Sequence, residues 1–281
     1  VITGSTLQQR IALTARLAVL TLGAAVVVVP FLAMLATSLK PSTFVLQTRP
    51  QLIPDHPTLR NFADAWSSSD FGRYFFNSLL VAGATTLASV ALASMMAFAF
   101  ARCEFAGKRV MFGLLLVGLM VPAMMLIVPQ FLLAKHLLLI DSLAGLVLFY
   151  TGASLALNTF LLRSFFEDVP RALEEAMIVD GAGLWSRYWR LVLPLSRPAL
   201  ATTAIFTFLM SWEEFVLALT MINDPAKRTL PIAIALFQGQ HTTSWGLVFA
   251  ASVIAAVPTI ALFVAFQRQF VAGIAAGAVK G

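Results

Sequence analysis

The sequence predicts an all-α membrane protein: a bundle of six transmembrane helices built from one domain over residues 1–281. Hydrophobic residues make up 59% of the chain and charged residues 11%, against about 45–50% and 25% in soluble domains. Mean hydropathy is +0.88. Six runs, each close to the ~20 residues that cross a bilayer, carry no charge or almost none. A chain so poor in polar surface cannot cover a core in water, which excludes a soluble enzyme, a disordered protein and a coiled coil. The runs are too long and too unbroken for barrel strands of about ten alternating residues.

The first run, 17–39, follows Arg10 and Arg16. It exceeds the roughly 7–15-residue apolar core of a signal peptide, so it is expected to be a retained helix. The stretch 40–74 holds Pro41, Pro50, Pro54 and Pro57 with Phe62, Trp66 and Phe71, a stiff segment outside the membrane. Runs 77–101 and 110–133 are joined by a short loop with Arg102, Lys108 and Arg109. Basic residues keep loops on the cytoplasmic side. That loop, both termini and residues 163–197 are therefore expected inside, and 40–74 and 223–243 outside. Run 143–162 is uninterrupted, run 199–222 contains Glu213 and Glu214, and run 244–266 contains Pro258. Pro30, Pro122, Pro129 and Pro258 each remove a backbone donor, which suits a kink. Proline is also commoner in membrane helices at large, so both readings stand.

Little else in the sequence offers chemistry. The lone Cys103 excludes a disulfide framework, and His56, His136 and His241 lack metal-ligand spacing, so no metal and no catalytic residue is predicted. The net charge of +6 reads as loop retention rather than nucleic-acid binding. A phosphate-binding loop of the G-x-x-x-x-G-K-[ST] kind is absent; Gly107-Lys108 is followed by Arg109.

The loop 163–197 is rich in charge yet contains Leu173, Met177, Ile178, Trp185, Tyr188, Trp189 and Val192. It reads as two short helices. Pro170 suits a first helical position, Glu174 and Glu175 favour the positive end of the helix dipole, and Asp180-Gly181 supply the stop. Trp185, Tyr188, Trp189 and Val192 then follow at i, i+3, i+4 and i+7 as an apolar stripe. The stripe needs a surface to pack on, either the underside of the bundle or a soluble partner.

Glu174-Glu175-Ala176-Met177-Ile178-Val179-Asp180-Gly181-Ala182, followed by Leu193-Pro194-Leu195, resembles the EAA signature of binding-protein-dependent ABC importer permeases. Met177 stands where the pattern has its second alanine. Ser211-Trp212-Glu213-Glu214-Phe215 with Ala218-Leu219-Thr220 is similar to the S-W-N-E-F-x-x-A-L-T segment of the second permease subunit of maltose-type importers. The ending Gln267-Arg268, Phe270-Val271, Gly273 and Gly277-Ala278-Val279-Lys280-Gly281 is also similar to that subunit. Glu213 departs from the usual Asn.

The resemblance implies a six-helix permease of the type I ABC importer kind, in a bacterial or archaeal cytoplasmic membrane, that forms half of a path for a carbohydrate. It implies a second homologous permease, two ATP-binding subunits that carry ATP and magnesium, an external solute-binding protein, and no cofactor on this chain. A similar importer for a glycerophosphodiester is the neighbouring reading; an ion-coupled secondary transporter would show related halves and several intramembrane charges. Glu174, Glu175, Ala176, Asp180, Gly181, Ala182 and Pro194 are then expected at the ATPase contact, and Gly273, Gly277 and Lys280 in a cytoplasmic tail touching the ATPases or left disordered. Glu213 and Glu214 are expected on the path or its gate, one facing the cavity and one a neighbouring helix, with Trp212 available to stack on a sugar. A purely structural role for the three remains open.

Overall fold

The computed structural model describes residues 7–41, 56–68, 70–238 and 244–278, and the elements it contains are helices. In chain order they are α1 (Leu7–Ser38), α2 (Arg60–Ser67), α3 (Phe71–Arg102), α4 (Lys108–Met120), α5 (Ile127–His136), α6 (Leu143–Glu167) and α7 (Arg171–Val179). After these come α8 (Leu184–Arg187), α9 (Leu193–Leu195), α10 (Arg197–Glu213), α11 (Val216–Met221), α12 (Leu230–Leu236) and α13 (Trp245–Ala278).

Four helices are long and apolar enough to cross a membrane: α1, α3, α6 and α13 as far as Gln267. The other two predicted spans are not single helices. The run 110–133 turns by 97° between α4 and the segment Ala123–His136. The turn falls at Pro122, which has no N–H to continue the helix and sits at ψ 128. The run 199–222 stops at Glu213 and restarts at Val216, and α10 is itself bent by 77° from Leu184–Leu195. Counting each bent pair as one span gives six among the described residues. Pro30, Pro129 and Pro258, by contrast, lie inside helices that continue past them.

The chain divides into two compact units. In the first, Val1–Ser69 with Ile234–Ala256, the buried Asn61 donates its amide to Ser38 O (2.8 Å) and Lys40 O (2.7 Å). It thereby satisfies carbonyls that the end of α1 leaves open. A side chain at Gly246 would approach Asn61 Nδ2 to 2.9 Å, so only glycine fits against this knot.

The second unit, Asp70–Ala233 with Val257–Gly281, is organised on α3, α6 and α10. The buried face of α3 carries a line of small residues, Ala82, Thr85, Ser89, Ala93 and Ala97, at helical spacing. Small residues let membrane helices approach closely where no hydrophobic force drives them together. Two apolar clusters lie toward opposite ends. One contains Val81, Leu146, Phe149, Leu217 and Met221; the other contains Ala97, Phe98, Leu162, Phe166, Tyr188 and Val192. Between them in register is a polar layer. Asn158 Nδ2 donates to Ser89 Oγ (2.8 Å) and Thr207 Oγ1 (2.7 Å), and Ser154 Oγ donates to Ser89 Oγ (2.8 Å).

The loops at the α5–α6 end are pinned in the same manner. Asn77 Nδ2 donates to Ala226 O (3.0 Å) and Arg228 O (2.9 Å), and Ser78 Oγ accepts from Leu230 N (2.7 Å). Asp141 Oδ1 accepts from the amides of Asn223 (2.5 Å) and Asp224 (2.8 Å). These donors, that of Asp224 foremost, hold the Asp141 carboxyl below the usual carboxylate range.

At Gly145 a Cβ would stand 2.5 Å from Leu139 O. Gly145→Ala must therefore displace the α5–α6 turn, at about 1–3 kcal/mol. The thermal midpoint of the detergent-purified protein is expected to fall, while Gly152→Ala, where the space is open, leaves it unchanged.

Candidate functional site

Residues 163–197 fold onto the ends of α3 and α6. α6 runs on to Glu167, beyond its predicted end at 162, and Arg163 pairs with Glu167 at 2.8 Å one turn later. Pro170 precedes α7 rather than occupying its first turn. α7 ends as the sequence predicts. Gly181 lies at φ +80°, its N–H donates to Ile178 O (2.9 Å), and Ala182 N–H donates to Met177 O (2.8 Å). This is a Schellman closure, in which glycine fills the left-handed position without the strain a Cβ brings.

Glu174 is turned inward, 6% exposed. Its Oε1 is 2.6 Å from Arg102 Nε and its Oε2 is 3.5 Å from Arg187 Nη1. The approach of Arg102 lies off the N–H direction, so charge rather than a linear hydrogen bond joins the pair. Arg102 Nη2 also donates to Phe166 O and Val169 O, both at 2.6 Å. One guanidinium on α3 therefore closes the end of α6 and holds α7.

The predicted aromatic stripe is divided by a π-helical turn at Tyr188–Val192. Tyr188 and Val192 are buried, with the Tyr188 hydroxyl 2.7 Å from Ser94 Oγ and its ring 5.2 Å from that of Phe98. Trp185 and Trp189 remain 63% and 58% exposed. The underside of the bundle thus takes half of the stripe and leaves the other half open.

The open half adjoins the other candidates. Glu175, Ala176, Asp180 and Gly181 are exposed, and Ala182 is half-buried. Leu173, Ile178, Val179, Trp185 and Trp189 add exposed apolar surface, and contiguous patches of this kind mark interaction sites. A hollow of about 420 Å³ is lined by Met177, Asp180, Gly181, Ala182, Gly183, Ser186 and Arg190. Pro194 is exposed on α9 and does not line that hollow. Glu174 does not belong to the exposed face; it positions the face from behind.

The second candidate group sits where α10 breaks. Glu214 leaves the helix at ψ 126 and folds its carboxylate over the next one. Oε1 accepts from Leu217 N (2.7 Å), and Oε2 accepts from Ala218 N (3.0 Å) and from the Tyr150 hydroxyl (2.5 Å). It caps α11 and ties it to α6. Glu213, the last residue of α10, is exposed. The two acids do diverge, but through a break in the helix rather than the 100° step of a continuous one.

Trp212 is not available to a ligand within this chain: it is 3% exposed, stacked on Phe208 (5.6 Å) and edge-on to Phe75 (5.5 Å). The exposed line on α10 is instead Phe206, Met210 and Glu213, 41% and 60% exposed for the first two, at i, i+4 and i+7. Phe206 and Met210 were missed because an apolar residue in a membrane span carries no mark of its own. Tracing the Glu213 face backwards by helical spacing would have found them.

The tail differs from expectation in one respect. α13 continues through Gly273 and Gly277 to Ala278, since extending an existing helix is far easier than starting one. Lys280 lies outside the described residues.

Residues 89–275 match the family of binding-protein-dependent transport system inner membrane components. The diacetylchitobiose uptake system permease protein of Streptomyces coelicolor is 34% identical over 265 residues, covering 94% of this chain and 87% of that protein. The sulfoquinovosyl glycerol transport system permease protein of Agrobacterium fabrum is 36% identical over 252 residues, covering 90% and 88%. Among solved structures, a bacterial ABC transporter involved in the import of alginate superposes with a TM-score of 0.81 at 21% identity, over 95% of this chain and 99% of that one.

The two adjacent acids of α7 are expected to fail differently. Glu174→Ala leaves Arg102 buried and uncompensated, a loss of about 3–5 kcal/mol that lowers the yield and thermal midpoint of the protein. Glu175→Ala, on the exposed face, leaves the fold intact, and a co-purifying protein lost from this variant alone assigns the face to docking. The check is a thermal melt and a pull-down on both variants side by side.

Proposed function

Because the chain belongs to the binding-protein-dependent transport inner membrane family, we propose that it is a permease subunit of an ATP-driven carbohydrate importer. It would form half of the path for a di- or oligosaccharide, a second homologous permease supplying the other half. Two ATP-binding subunits would bind and hydrolyse ATP with magnesium, and an external solute-binding protein would deliver the sugar. This chain contributes no catalytic residue and no cofactor. Its termini and the 163–197 segment lie on the cytoplasmic side. The observation that carries the carbohydrate reading is that relatives named for the uptake of sugar compounds align over nine-tenths or more of the chain.

The geometry supports a division of labour. The exposed face of α7–α8 receives the motion of the ATPases. Arg102 and Glu174 pass it to α3 and α6, because the segment cannot shift without dragging the carbonyls of Phe166 and Val169. On α10, Phe206, Met210 and Glu213 face the path. An aromatic face packs on a sugar ring, and a carboxylate accepts from sugar hydroxyls.

Uptake of a labelled disaccharide by cells expressing the complete transporter tests the path. Glu213→Gln is expected to reduce uptake about tenfold, since a hydrogen bond to a charged group contributes about 1.5–3 kcal/mol. Native uptake by an assembled Glu213→Gln transporter would remove Glu213 from the path. Orientation has its own test: a tag inserted beside His56 should react with an impermeant label in intact cells, and labelling only after lysis inverts the topology.

A further inference from the structure

We propose that the groove between the α3–α4 turn and α6 binds the phosphate headgroup of an anionic phospholipid. A cavity of about 650 Å³ opens there, and Glu104, Phe105, Lys108, Arg109, Phe112 and Arg163 are among its lining residues. Three of these are basic and one is acidic, so the lining carries an excess of positive charge.

The basic groups are held rather than loose. Lys108 Nζ bonds Cys103 O (2.9 Å) and Glu104 Oε1 (3.0 Å). Arg163 lies with its guanidinium carbon 4.0 Å from the centroid of the Phe112 ring. Glu167 accepts from Nε of Arg163, one of its five donors, so that bond leaves the paired terminal nitrogens for two oxygens of a phosphodiester. Arg109 is exposed and enters no ion pair among the described residues.

Position selects the source of the phosphate. The turn joins two apolar helices, so the cavity lies at one face of the membrane, at the end where Arg102 meets Glu174. The orientation proposed above, on which this part rests, makes that face cytoplasmic, where anionic lipids gather and basic pockets between helices take their headgroups. Leading away from the cavity, α4 exposes Val110 (66%), Leu114 (66%) and Val117 (55%) at i, i+4 and i+7, and Val110 itself lines the cavity. A phosphate with acyl chains fits both the basic lining and this apolar track. A free phosphate fits only the first.

The test is retention of phosphatidylglycerol against phosphatidylcholine by the complete transporter, purified in mild detergent and read by native mass spectrometry. Phosphatidylglycerol should be retained preferentially. Arg109→Gln and Arg163→Gln should each weaken that retention about fivefold, the effect of one basic group near a charged membrane surface, and Arg109→Lys should restore it. Arg109 is exposed, so its variants test the site without disturbing the fold. Equal retention of the two lipids, native retention in both Gln variants, or displacement by excess inorganic phosphate would each overturn the proposal. A reversed orientation is read separately by the tag beside His56.

Discussion

Every backbone polar group in a hydrocarbon environment has to find a partner within the protein, and in this chain that demand decides where the side-chain chemistry is spent. At several helix ends a polar side chain supplies a missing bond. Asn61 covers the carbonyls after α1, Arg102 those after α6, and Asn77 those of Ala226 and Arg228. Glu214 takes the amides that open α11, and Asp141 takes those of Asn223 and Asp224. A protein with 11% charged residues uses several of them as caps rather than as surface.

That economy explains why neighbouring acids part company. Glu174 and Glu175 are adjacent, as are Glu213 and Glu214, and in each pair one is spent on the fold. Glu174 neutralises the cation that closes α6, and Glu214 caps α11 against α6. The partner residue in each pair is left exposed and carries its charge outward. Glu174, which is buried, and Glu214, which is half-buried, hold the local fold in place.

Much of this was legible in the sequence. Unbroken apolar runs located α1, α3, α6 and α13, because a span must be apolar along its whole length and composition records that directly. The Asp180-Gly181 stop was legible too, since a left-handed residue admits few side chains. The break after Glu213 was not: a carboxylate inside an apolar run reads alike whether it lines a path or caps a half-helix, and only its bonds to the Leu217 and Ala218 amides and to Tyr150 separate the two. The choice between the two readings of Trp212 was not legible for a similar reason, since its packing depends on Phe75 and Phe208, one of them more than a hundred residues away. Arg102 was visible only as a loop charge. Its bond to Glu174 crosses some seventy residues, and nothing local announces it.

The two broken spans are not independent of one another. α5 follows the break at Pro122 and α11 follows the break at Glu214, and both pack in one cluster with the first half of α6: Ala134 from α5, Leu217 and Ala218 from α11, Leu146 and Phe149 from α6. Asp141 stitches the loops beyond them together, its amide donating to Met221 O (3.0 Å) while its carboxylate holds Asn223 and Asp224. At the other end α3, α6 and the 163–197 segment form a second cluster fixed by Arg102 and Tyr188. The polar layer at Ser89, Asn158 and Thr207 joins these ends through side-chain hydrogen bonds, and such bonds between membrane helices average only about 0.6 kcal/mol. Between the two clusters the helices are thus joined by close packing of small residues and by a few weak hydrogen bonds. Moving α5 or α11 alone would tear the Asp141 stitch and reopen the amides that it covers.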